Sequence, residues 1–366
     1  MKDFFAQILT IAHGLVKSPR ATLVQLGKDV RYRFRLPAQV TELEALTYQT
    51  PFILQIETTN VCNASCIFCA YPKMSRKPGF MSLSLFEKVV KDYAAMGGGP
   101  VSLTPVVGDV LLDPHLMERF RILREHPEIN QISFTTNAIG LDRYSDEEVC
   151  RLLRETYCIQ VSIGGLDVET YRALYGVDRF ARVRQAMERL LRLNETLSRP
   201  AHITFAFRTN DPAFESRFKQ QLDEYRQRGA FISHIWTYAN YSGVVENDKI
   251  RNLTVLKSVG GKSRICTYGS VAMSICWDGT ITACGCVDFD GSRLRIGHAE
   301  QEPLASVWAG RRRIAILQSF GSGKLVPICR DCSAYRPNTD FALPHFEGIQ
   351  ACQPLPLGFF HQFWGG

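Results

Sequence analysis

Apolar residues recur in short unbroken runs from residue 52 onward, and the stretches between them carry helical periodicity. FILQIET (52–58), VSLTPV (101–106), QISFTT (131–136), IQVSIG (159–164), HITFAF (202–207) and SHIWTY (233–238) read as six strands. Their continuity predicts strands covered on both faces. Ser84-x-x-Glu87 and Ser145-x-x-Glu148 have the form of capping boxes, opening a helix over 84–96 and another after 145. Further helices are predicted over 114–125, 178–195 and 213–228. Alternation of strand and helix predicts a parallel sheet with helical crossovers. Six units fall short of the eight of a closed barrel, so the expected fold is α/β, a partial (β/α)6 TIM-like barrel.

The texture changes near residue 260. ICWDGTITACGC (275–286) reads as a hairpin turning at Asp278-Gly279, and a helix is expected over 303–319. At the other end, Phe4, Ile8, Ile11 and Leu15 share one helical face, and Lys17, Arg20, Lys28, Arg31, Arg33 and Arg35 follow. A helix packed on the main domain is the preferred reading, with membrane-surface contact through residues 1–35 as the alternative. The expected organisation is a helical extension over 1–50, the barrel over 51–240, a small domain over 241–335 and a tail over 336–366.

Charge and composition add limits. The net charge of +7 is moderate and scattered, so nucleic-acid binding does not follow. No run of about 18 apolar residues crosses a membrane, and the first residues make a poor signal peptide. Twelve cysteines in a chain of 366 residues therefore read as reduced, cytoplasmic and metal-bound rather than as a disulfide framework.

Three of those cysteines sit in CNASCIFC, spaced Cys62-x3-Cys66-x2-Cys69, directly after the first strand. Ligands of parallel α/β folds gather at that strand end. A structural zinc site closes with four protein ligands, whereas three thiolates on a [4Fe–4S] cluster leave one iron open. A zinc knuckle and chance spacing are the competing readings.

With the aromatic Phe68 just before its last cysteine, the motif resembles the radical SAM superfamily signature. The resemblance implies that Cys62, Cys66 and Cys69 hold the catalytic [4Fe–4S] cluster. Its open iron would bind S-adenosylmethionine (SAM), and reductive cleavage would give a 5′-deoxyadenosyl radical that abstracts a substrate hydrogen. The family's glycine-rich stretch after strand two corresponds to Val107-Gly108-Asp109-Val110. It retains one glycine and carries Asp in place of Glu, so Gly108 and Asp109 are expected on the methionine moiety. Thr135, Thr136 and Asn137 end strand three, where ribose contacts are usual. Ser162 and Gly164 end strand four, where another polar contact is usual. Strand-end turn chemistry is the alternative for each.

Cys266-x12-Gly279-x4-Cys284, followed by Cys329-x2-Cys332 and with Leu304-x3-Trp308 between, resembles the auxiliary-cluster domain called SPASM or its shorter twitch form. The resemblance implies a second [4Fe–4S] auxiliary cluster on Cys266, Cys284, Cys329 and Cys332, with a four-cysteine zinc site as the alternative. Only Cys352 follows Ser333, so one auxiliary cluster is expected. Cys276, Cys286 or Cys352 could replace one ligand or donate a hydrogen atom. Cys150 and Cys158 read as small buried hydrophobes.

Three other motifs are set aside. Met96-Gly97-Gly98-Gly99 reads as a tight loop, and Arg311-Arg312-Arg313 as an exposed helix face. Phe320-Gly-Ser-Gly-Lys324 lacks the serine or threonine of a phosphate loop.

The resemblance implies a radical SAM oxidoreductase or isomerase acting on a small molecule such as a sugar, aminocyclitol or related metabolite. Flavodoxin or ferredoxin is the expected electron donor. Arg208, Trp236, Tyr238 and Asn240 are candidate substrate contacts. The alternatives are a maturase of a ribosomally made peptide and a non-catalytic iron–sulfur electron carrier. About 50 N-terminal residues are too few for a peptide-leader domain, which favours the small molecule.

Overall fold

The computed structural model describes residue 45, residues 47–209, 211–245, 253–255, 258, 262, 264–322 and 324–337. The expected N-terminal amphipathic face and most of the tail lie outside the described residues.

Strand β1 (Ile53–Ile56) opens the sheet. Helix α1 (Leu83–Ala95) follows and buries Leu85, Phe86, Val89, Val90 and Tyr93 along one stripe. Each such side chain contributes roughly 1.5–3 kcal/mol by leaving water. Its cap differs from expectation. Ser82, not Ser84, is the N-cap, its hydroxyl accepting from the Leu85 N–H, and Ser84 stands inside the first turn. Two serines in register cannot both cap, and the extended backbone of Ser82 decides between them.

Strand β2 (Pro100–Ser102) is shorter than its apolar run, because the chain leaves the sheet at Leu103. Helix α2 (Leu116–Arg124) follows. Arg119 is fully buried on it and pairs with Asp113 at 2.6 Å. Its guanidinium also lies over the Phe86 ring and donates to the Met81 carbonyl, which locks α2 against α1. Strand β3 (Gln131–Thr136) matches expectation. Helix α3 (Asp146–Glu155) carries the complete Ser145–Glu148 capping box. Strand β4 (Cys158–Ile163) leads to an unexpected helix, α4 (Val168–Tyr175), capped by Asp167, and then to α5 (Phe180–Asn194). After β5 (His202–Arg208) come α6 (Phe214–Arg217), α7 (Lys219–Gln227) and β6 (Phe231–Ile235). The sixth apolar run breaks at Trp236, which is 62% exposed. A separate ribbon of β7 (Thr237–Tyr238) and β8 (Thr254–Val255) begins there.

The C-terminal part adds α8 (Thr267–Val271), β9 (Ala272–Ile275), β10 (Thr280–Thr282), β11 (Arg295–His298), α9 (Leu304–Trp308), α10 (Arg311–Ser322) and α11 (Pro327–Asp331). The hairpin does not stand apart. Strand β9 pairs in parallel with β1 from Ile53↔Ala272 to Ile56↔Ile275. The sheet therefore runs β11-β10-β9-β1-β2-β3-β4-β5-β6, with β1 to β6 parallel and in chain order. This is a partial barrel whose open edge is extended by the hairpin. The expected 303–319 helix breaks at Gly310. The arginine run also differs from expectation. Arg311 and Arg312 are exposed, but Arg313 is fully buried, stacked 3.3 Å over Trp308 and donating to the carbonyls of Thr47, Ser270 and Trp308. Three buried carbonyls around an aromatic face suit a planar five-donor cation better than water does.

Candidate active site

Four buried polar residues, Glu57, Thr58, Thr59 and Asn60, follow β1. Three of them clamp the loop that carries the first cysteines. Glu57 holds Arg76 through two bonds of 2.6 and 2.9 Å, and Arg76 Nε donates to the Phe289 carbonyl. Thr59 Oγ1 donates to the Gly79 carbonyl, while Asn60 takes the Gly79 N–H and donates to Lys77 O. Gly79 has to lack a side chain, since a Cβ there would lie 2.5 Å from the Trp277 ring. The other flank is pinned by Ser65 N–H to Tyr175 O and Ile67 N–H to Leu174 O. Residues 57–80 are thus sewn to β1, to α4 and to the hairpin.

Cys62, Cys66 and Cys69 come together within this loop. Burial pushes the Cys62 thiol up to about 12, with the charges of Asp109 and Cys69 adding to it. Burial and then its two partner cysteines push Cys66 up, and burial raises Cys69. Donors are aimed at the sulfurs. The Tyr71 N–H lies 3.4 Å from Cys69 Sγ, and Asn137 Nδ2 lies 3.8 Å from Cys62 Sγ. Arg208 is the cation whose charge reaches both Cys66 and Cys69. Its guanidinium lies 4.4 Å over the Phe68 ring, and its Nε donates to Ser162 Oγ at 2.9 Å. Phe68 also packs edge-on to Tyr175, whose hydroxyl meets Ser162 at 2.9 Å.

The other expected residues fall nearby. Gly108 has a φ of 122°, and a Cβ on it would lie 2.8 Å from the Thr59 carbonyl, so the loop after β2 presses directly on the cysteine loop. Asp109 was expected to face a ligand ammonium. Its carboxylate instead turns inward, accepting from the N–H groups of Leu111 and Asn137 and from the Thr136 hydroxyl. Burial pushes it up to about 6. Asp109 here ties the loop after β2 to the end of β3, and Thr136 serves that tie. Asn137 is bonded to Asn63 beside Cys62. Among the candidate substrate contacts, Trp236 is exposed, Tyr238 is buried and Asn240 is bonded to Ser333. Arg208 belongs beside the thiols.

The C-terminal cysteines form a second nest. Cys266, Cys284, Cys286, Cys329 and Cys332 line one apolar cavity, walled by Ile316, Leu317 and Phe320 of α10. The four expected ligands are there, and Cys286 is a fifth thiol. Cys276 is elsewhere, buried beside Glu57 and Arg76. Burial pushes Cys286 and Cys329 up to about 12, with Cys266 and Cys332 raising both further. Donors point at sulfur here too. The Ala334 N–H lies 3.2 Å from Cys332 Sγ and the Cys286 N–H 3.4 Å from Cys284 Sγ. Lys262 is buried beneath the nest, its ammonium bonded to the carbonyls of Cys329, Arg330 and Cys332.

Both nests are all-sulfur and desolvated, a combination that suits a cationic iron–sulfur core and penalises bare thiolates. Among the described residues no three Cys, His, Asp or Glu side chains close around a single ion position.

A sequence model of the radical SAM superfamily matches residues 56–199, and one of an iron–sulfur cluster-binding domain, SPASM, matches residues 266–333. The chain carries a radical SAM domain over residues 56–199, followed by a SPASM domain. The cofactors of this domain pair are SAM, the [4Fe–4S] cluster that binds it, and an auxiliary iron–sulfur cluster. The radical SAM domain begins at the end of β1, and the SPASM domain spans the whole second nest.

Among curated relatives, GTP 3′,8-cyclase of Pasteurella multocida (strain Pm70) is 28% identical over 215 residues, covering 55% of this chain and 61% of the relative. GTP 3′,8-cyclase of Klebsiella pneumoniae (strain 342) is 31% identical over 157 residues, covering 42% and 45%. The chain thus spans about half the length of the curated relatives it matches. Among solved structures, Streptococcus suis SuiB bound to precursor peptide SuiA has a TM-score of 0.57 at 15% identity, covering 92% of this chain and 82% of SuiB. BtrN in complex with AdoMet and 2-DOIA has 0.52 at 14%, covering 77% and 92%. These likenesses are of fold. Among the described residues no helix is long and apolar enough to cross a membrane.

Proposed function

We propose that this chain is a radical SAM enzyme that abstracts hydrogen from a small molecule, with Cys62, Cys66 and Cys69 holding the SAM-binding cluster. The carrying observation is the open set of three half-buried cysteines after β1, with the Arg208 guanidinium beside it. When bound, that cluster supplies the electron that cleaves SAM to a 5′-deoxyadenosyl radical. The chain's own part is positional. Arg208, fixed between Phe68 and Ser162, offers a cation to a carboxylate or phosphate on the ligand side of Cys66. Asn137 orients the Cys62 side, and the Gly108 loop closes the floor. Cys266, Cys284, Cys329 and Cys332 would hold the auxiliary cluster, as an electron acceptor for oxidation or a support for epimerisation. The protein is proposed to work in the cytoplasm and to take its electrons from a flavodoxin or ferredoxin.

A small-molecule substrate is favoured because the relatives alike in sequence are named for GTP. Peptide maturation is the second reading, favoured by the SuiB-like fold over most of the chain. Incubating reduced protein with SAM tests the proposal. Cys66→Ala should abolish 5′-deoxyadenosine release while leaving the circular dichroism unchanged, and undiminished release would sink the assignment. Stimulation by nucleotides and sugars, but not by peptides, separates the two substrate classes.

A further inference from the structure

A buried cation lies under the second nest. Lys262 is 5% exposed. Its ammonium donates to the carbonyls of Cys332 at 2.6 Å, Cys329 at 2.8 Å and Arg330 at 2.9 Å. Ser258 Oγ lies 3.2 Å from the same nitrogen and itself donates to the Arg330 carbonyl. Three close carbonyls call for three N–H groups. A neutral amine has two and would turn its lone pair on the third oxygen, so the charged form is the one that fits.

The three carbonyls belong to the turn that joins Cys329 to Cys332. Helix α11 ends in that turn, and the last carbonyls of a helix lack partners within it. Lys262 supplies the partner. Its nitrogen also lies 5.7 Å over the ring of Tyr335, a residue that lines the cavity together with the cysteines. Tyr335 stacks on Phe320, and its hydroxyl donates to the Arg264 carbonyl at 2.9 Å. The Thr267 N–H donates to the Arg336 carbonyl, so the segments carrying Cys266 and Cys332 are fastened around the lysine.

Burying an ammonium is costly, and a neutral donor would satisfy these carbonyls more cheaply. The charge therefore calls for a negative partner. Asp331, the acidic residue of the same turn, is exposed and already pairs with Arg330 at 2.8 Å. The remaining partner is whatever the cysteines hold. We propose that Lys262 is a positioning residue whose buried ammonium fixes the Cys329–Cys332 turn and raises the reduction potential of the centre that turn carries. The inference rests on the reading that Cys266, Cys284, Cys329 and Cys332 hold the auxiliary cluster. A four-thiolate cluster is anionic and becomes more so on reduction, so a fixed cation beside it favours the reduced state. An electron acceptor needs that bias, and a redox-neutral reaction does not.

Three variants separate charge from support. Lys262→Met removes charge and donors, Lys262→Gln keeps donors without charge, and Lys262→Arg keeps the charge. Each reconstituted holoprotein is titrated redox-wise and followed by electron paramagnetic resonance. The second nest's signal is the one that adding SAM leaves unchanged. Lys262→Gln and Lys262→Met should keep full iron, and that potential should move negative in both. Lys262→Arg should stay near wild type. A wild-type potential in Lys262→Gln at full iron content overturns the proposal, because donors without charge would then suffice. Loss of the second nest's iron in Lys262→Gln and Lys262→Arg alike also overturns it, since the lysine would then serve assembly. Wild-type protein that takes up no iron at the second nest would instead defeat the underlying reading, and iron analysis detects that independently.

Discussion

The two thiol nests reach similar surroundings by different routes. The first is local, with three cysteines inside eight residues of one loop clamped by its own flanks. The second is assembled from three distant segments around Cys266, Cys284 to Cys286, and Cys329 to Cys332. A local nest depends on its loop, and a composite nest depends on the frame that brings its pieces together. That frame is α10 and the sheet edge, and Arg313 holds both through Trp308, Ser270 and Thr47.

Breaking the composite nest directly should have the largest effect. Cys332→Ala should remove the second nest's iron and leave the first nest's, whereas Cys276→Ala should leave all iron in place. Elemental analysis with Mössbauer spectra reads both, and iron loss in Cys276→Ala would mean that the ligand set is misassigned. Next comes the frame. Arg313→Ala leaves three buried carbonyls without their donor and should cost about 2–4 kcal/mol in chemical denaturation of the cluster-free protein. A cost near zero would show that the composite nest is held otherwise.

Asp109 sharpens the comparison from the local side. Its carboxyl is raised from 3.8 to about 6 by burial. A raised acid binds its proton more tightly when folded. Its stabilising contribution is therefore complete below about pH 4 and lost as pH rises to about 6. On the order of 2–3 kcal/mol is at stake. Asp109→Asn should flatten that part of the stability profile of the cluster-free protein, measured as wild type minus variant. A difference that is constant between pH 4 and 7 would show that Asp109 stays ionised. The smallest effect concerns local capping. Ser82→Ala should cost about 1 kcal/mol and Ser84→Ala almost nothing, by thermal denaturation. The reverse order would restore Ser84 as the cap.

The same contrast explains what could be read from the residues in order. Strand β3, the Ser145 box and the Cys62–Cys69 spacing are short-range patterns, and each appears where the pattern puts it. Arg208 lies far along the chain from Cys66 and Cys69, and no local signal marks a residue that reaches the thiols through tertiary folding. Arg313 was misread for the same reason, since a run of three arginines looks solvated until the carbonyls it caps are known. The pairing of β9 with β1 depends on register between segments 219 residues apart, so a separate hairpin was the natural expectation. Helix α4 was hidden because Asp167 and Gly176, its cap and its stop, border a stretch of only eight residues.

The most direct test of the account is iron and sulfide per chain after anaerobic reconstitution, compared between wild type and the Cys62/Cys66/Cys69→Ala triple variant. The account predicts two clusters' worth of iron and sulfide falling to one, with the surviving cluster unresponsive to SAM. Iron content that is the same in both proteins would contradict it, because the local nest would then hold no cluster.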